Sequence, residues 1–125
     1  MTGRRGLSLL LWAVALHSAL VGIGLMAAPP ALLERFGFGT VSQRFFPVQG
    51  GVFHLVMVMF YVTAARAPER HRDLVRLAVA TKTLAFVFLA SYFFAVERIV
   101  TVLLSGVADG AMAAAIAALA ARAKG

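Results

Sequence analysis

Four apolar stretches, each close to twenty residues long, follow one another along the chain with charged joints between them. They cover about 7–28, 47–65, 74–96 and 99–121. A helix rises about 1.5 Å per residue, so each stretch can cross a hydrocarbon core about 30 Å thick. Lipid offers the backbone no water to bond, and a helix satisfies every N–H and C=O within one segment. The expected fold is therefore all-α: an integral membrane four-helix bundle of antiparallel, up-and-down spans. With 125 residues, four spans and their joints use the whole length, leaving a single four-span membrane domain over 1–125.

Composition enters where partners are concerned. A chain with 62% hydrophobic and only 14% charged residues is too apolar for an ordinary water-soluble domain. Its net charge of +7 would suit a polyanion, but the basic residues lie at span ends rather than on one soluble face. Nucleic acid is thus not an expected partner. The lipid bilayer is, with other membrane proteins or a second copy beside it. The absence of cysteine removes disulfides, thiolate metal sites and thiol redox chemistry from this chain's repertoire.

The charges also orient the spans. Arg4, Arg5, Arg66, Arg70, Arg72, Arg76, Arg122 and Lys124 flank one side, against Arg35, Arg44 and Arg98 on the other. That bias predicts a multi-pass protein of the cell membrane with both termini cytoplasmic. Arg4-Arg5 before an apolar run also has the look of a leader. The run is longer than a usual signal core and no Ala-x-Ala site follows it, so a retained first span is expected.

The joint after span one carries a local signal. Pro30 can open a short interfacial helix over about 30–36, with Leu32, Leu33 and Phe36 toward lipid and Glu34 and Arg35 toward water. Gly37 and Gly39 should end it. The joint at Glu97-Arg98 is short, so spans three and four should form an antiparallel hairpin.

Chemistry must come from the few polar groups inside the spans: His17 in the first, Gln49 and His54 in the second, Lys82 in the third and Asp109 in the fourth. An ionisable group in a bilayer is a functional candidate by default. Asp109 lies near mid-span, and a short aspartate cannot reach water from there. Its neighbours Ser105, Gly106 and Ala113 suggest a small-residue face, and Gly106 with Gly110 makes a G-x-x-x-G pattern for close helix packing. Gly50 and Gly51 suggest a second close approach. Lys82 can pair with Asp109 or snorkel. Side chains lean toward their helix N-terminus, which sends the two apart on antiparallel spans. The histidines show no spacing for a metal or haem, no nucleophile–base set is visible, and no cofactor is expected.

The pieces ALLERFGFG (31–39), RFFPVQGGVFHLVMVMFYVTAARAPERHRDLVRLAVATK (44–82 with its last lysine) and GVADGAMAA (106–114) stand in an order that resembles small bacterial four-span membrane proteins of the DoxX-like kind and neighbouring uncharacterised families. The resemblance implies a four-helix bundle of the inner membrane, and partner roles in redox or respiratory complexes for some relatives. It carries over no catalytic residue.

Two function classes follow. The pattern favours a non-catalytic membrane subunit or scaffold that binds partners through its small-residue faces. The alternative is a small proton-coupled transporter using intramembrane Asp109 and Lys82, with His54 or His17 on a polar path. An enzyme is the least favoured reading.

Overall fold

The computed structural model describes residues 2–124. Its elements are α1 (Thr2–Ala27), α2 (Pro30–Arg35), α3 (Phe45–Arg66), α4 (Arg72–Ala95) and α5 (Val100–Arg122). The four long helices are long and apolar enough to cross a bilayer. Their ends differ from the expected ones by one or two residues, except that α1 begins five residues earlier. Arg4 and Arg5 continue the helix beyond the apolar run, because arginine is a good helix former and hydropathy does not register it.

Each helix touches its two neighbours in the ring α1–α3–α4–α5, and the packing is much more extensive within the pairs α1–α3 and α4–α5 than between them. The molecule is thus two antiparallel hairpins joined along a seam. Gly3 lies against Ala123, which brings the two ends of the chain to one end of the bundle, here called the terminal end. Large side chains such as Leu16, Leu20, Phe53, Met59, Leu84 and Phe88 point outward and are exposed. An apolar girdle of that extent is untenable in water and suits lipid.

Glycines set the closeness of both hairpins. In the first, a Cβ on Gly51 would come within 2.5 Å of the Gly22 carbonyl oxygen and of Met26 Cγ. Gly50, expected to share this contact, would only graze Leu25 at 3.7 Å. In the second, a Cβ on Gly106 would meet Leu89 Cβ at 3.0 Å, and one on Gly110 would meet Phe86 Cδ2 at 2.9 Å. The G-x-x-x-G face therefore closes the α4–α5 hairpin. Ser105, expected on that face, is exposed; the buried stripe is Gly106, Asp109, Ala113 and Ile116, at intervals of three and four. Gly106→Leu should cost about 1–3 kcal/mol by overpacking, and Gly110→Leu somewhat less because the Phe86 ring can swing. Ala114 is exposed. Detergent melting should rank Ala114→Leu as the mildest of the three.

The apolar core gathers toward the terminal end. Leu7, Leu11, Val14, Tyr61, Val75 and Ile116 bring all four long helices together there. At the opposite end, Pro30 opens α2 as expected, and Gly37 (φ +93) and Gly39 (φ +67) take the left-handed conformations that end it. Leu33 departs from expectation: it is buried in the protein, while Leu32 and Phe36 stay exposed. The turn after α2 docks on the start of α5, where Thr101 Oγ1 donates to the Phe36 carbonyl at 2.8 Å and Gly37 approaches Ile99. Arg44 donates to the Met26 carbonyl at 2.9 Å, capping the end of α1 with a cation suited to the helix dipole.

Candidate functional site

Midway along the bundle each hairpin carries a polar pair. On the first, Ser18 of α1 meets His54 of α3. The Ser18 hydroxyl lies 3.1 Å from the His54 carbonyl oxygen and 3.2 Å from His54 Nδ1. A hydroxyl has one hydrogen. When it goes to the carbonyl, Nδ1 must carry the imidazole proton and donate to the serine, leaving Nε2 with the free lone pair. This arrangement does not make a nucleophile, because the serine's proton is held by backbone and the side chain is buried. One position away, His17 Nδ1 is buried with no hydrogen-bond partner among the described residues.

On the second hairpin Lys82 Nζ donates to Asp109 Oδ1 at 2.7 Å, and both residues are buried. The opposing lean of the two side chains is not offset by register; it is overcome by the length of the lysine stem, which turns toward the C-terminal end of α4. Contacts of Gly106 with Leu89 and of Gly110 with Phe86 put Asp109 level with residues 86–87, about one helical turn from Lys82 toward the α2 end. The four-carbon lysine stem spans about that distance. Snorkelling the other way is opposed by the packed core that contains Val75, Ala78 and Ile116.

The second pair reaches across the seam to the first hairpin through Tyr61. Tyr61 of α3 places its ring 5.7 Å from Lys82 Nζ, close enough for cation–π attraction. The structure thus joins Lys82 to Asp109 with Tyr61 beside the lysine, and joins Ser18 to His54, with His17 next to Ser18 on α1. Gln49 is exposed on α3 and stands apart. Ser18 carried little sequence signal beyond being a small polar residue beside a histidine. Tyr61 carried no polar or motif signal that set it apart from the other aromatics of the spans.

Chemically, the two hairpins offer a lysine–aspartate pair and two imidazoles inside a bundle where an unpaired charge is costly. Among the described residues no three His, Cys, Asp or Glu side chains converge to hold a metal ion. Groups of this kind can accept, hold and pass protons, or bind a small charged solute by replacing one partner of the ion pair. Searches of family models, curated proteins and solved structures find no match to this chain.

Proposed function

We propose that this is a small multi-pass membrane protein that handles protons at its seam, using Asp109 as the carboxylate that gains and loses the proton. Lys82 is the cation that pairs with that carboxylate, and His17 and His54 are the further proton acceptors within the spans. The observations that carry this reading are the buried Lys82–Asp109 pair and a buried His17 Nδ1 that has no hydrogen-bond partner among the described residues. Groups this polar are costly at mid-bilayer, and a bundle without a task for them would be served as well by apolar residues of the same volume.

A membrane subunit or scaffold is the second reading. It draws support from the packed core at the terminal end, which closes the seam on that side. It loses the support it drew from glycine faces, since Gly51, Gly106 and Gly110 are engaged inside the bundle.

Sealed vesicles containing the purified protein and a pH-sensitive dye separate the two. With a potassium ionophore to balance charge, an imposed pH step should collapse faster than in protein-free vesicles. Asp109→Asn should return the rate to the protein-free level, and Gln49→Leu should leave it fast. A wild-type rate equal to that of empty vesicles favours the subunit reading.

A further inference from the structure

A cavity of about 300 Å³ opens at the terminal end, among the starts of α1 and α4, the α3–α4 joint and the end of α5. Its rim carries Arg4, Arg72, Arg76 and Lys124 against one acid, Glu69. Arg76 is shared with Asp73 at 3.0 Å, but both side chains are largely exposed, so that bond holds the guanidinium only loosely. The floor is apolar and includes Leu7, Val75 and Ala121.

The cavity does not stop at the rim. Val79 and Ala117 line it and also line a second hollow of about 510 Å³ that continues along α4–α5 past Thr83, Phe86, Val107 and Ala114. The hollow exists because α5 presents alanines and Gly110 along that face while α4 presents larger side chains. Its walls are overwhelmingly apolar and it runs parallel to the spans, toward the level of Asp109. A cluster of cations at a span end leading into an apolar groove that follows the helices matches one shape: an anionic headgroup with an acyl chain attached.

We propose that this continuous site holds one anionic phospholipid. The headgroup phosphate sits among Arg4, Arg72, Arg76 and Lys124, and one acyl chain lies along Val79, Phe86 and Ala114. Arginine suits the role because its planar fork bonds two phosphate oxygens at once. Four cations against the single acid Glu69 leave the rim positive, which favours an anionic glycerol headgroup over zwitterionic choline. The headgroup end opens where α1, α4 and α5 meet and the groove runs along α4–α5; neither is lined by Lys82, Asp109, His17 or His54, and the site does not depend on the proton-handling reading.

The test compares phosphatidylglycerol with phosphatidylcholine of the same chains, added to wild-type protein in detergent, with bound lipid counted by native mass spectrometry. Phosphatidylglycerol should bind one per chain and raise the melting temperature, while phosphatidylcholine does neither. Removing two headgroup cations in Arg4→Gln/Arg72→Gln should weaken binding by about tenfold or more. Ala114→Leu fills the groove and should weaken the lipid while leaving melting in lipid-free detergent unchanged. Equal binding of the two lipids by the wild-type protein would overturn the proposal. Full displacement of phosphatidylglycerol by millimolar inorganic phosphate would also overturn it, by assigning the cations to a soluble anion.

Discussion

Lys82→Met and Asp109→Leu should each destabilise the bundle by about 3–5 kcal/mol, and the double variant should recover most of that loss. Each single change leaves one charge buried without its partner, at a level of the bundle where no water is within reach. The double change replaces a 2.7 Å ion pair with two apolar side chains of similar volume, which need no solvation. A thermal-stability cycle in detergent measures the coupling directly. Simple addition of the two losses would mean that each group has another partner. The cycle also bears on the functional reading. A double variant that is stable but silent in the vesicle assay would separate the stability of the pair from its task.

The second large effect is expected at the crossing of α1 and α3. Even Gly51→Ala should be destabilising, and Gly51→Leu should prevent normal assembly of the first hairpin. The added Cβ would meet the Gly22 carbonyl oxygen and Met26 Cγ at 2.5 Å, and a backbone atom cannot turn aside as a side chain can. Overpacking typically costs about 1–3 kcal/mol; a backbone obstruction puts Gly51→Leu at or above the upper end. The strain would be felt one turn away, where Ser18 and His54 need the same close approach. Gly24→Ala is the matched control, because nothing lies within 4 Å of a Cβ there. Melting of Gly51→Ala at the wild-type temperature would contradict the crossing described here.

The comparison of Gly50 with Gly51 illustrates what a sequence can and cannot say about such a bundle. Hydropathy and length fixed the four helices, since lipid penalises any other backbone state. They could not say which of two adjacent glycines faces the partner, because adjacent residues are about 100° apart around a helix and the tolerance of a crossing is narrower than that. Gly22, at the end of an apolar run, held no signal of its own until α3 was laid against it. Lys82 and Asp109 were visible as intramembrane charges, but their pairing depends on the α4–α5 register, which Gly106 and Gly110 determine through Leu89 and Phe86. Leu33 was misassigned for a related reason. The short helix has apolar residues on two sides, and only the docking of the following turn on Ile99 and Thr101 decides which side faces protein. The phospholipid groove was illegible for the opposite reason: it is made by what the alanines of α5 do not fill.

A charge pair buried midway along a membrane-spanning bundle must lie deep below the headgroups, and its depth can be measured. The chain has no cysteine, so single cysteines can be introduced and spin-labelled cleanly. Thr83 and Val87 are exposed on α4 and bracket the level of the Lys82–Asp109 bond, while Arg98 lies in the turn between α4 and α5. In vesicles, labels at Thr83→Cys and Val87→Cys should relax strongly with oxygen and weakly with a water-soluble nickel chelate, at depths on the order of 10–15 Å below the headgroups. The label at Arg98→Cys should show the reverse preference. Labels at 83 and 87 as open to the nickel chelate as the label at 98 would contradict that depth, placing the ion pair in water.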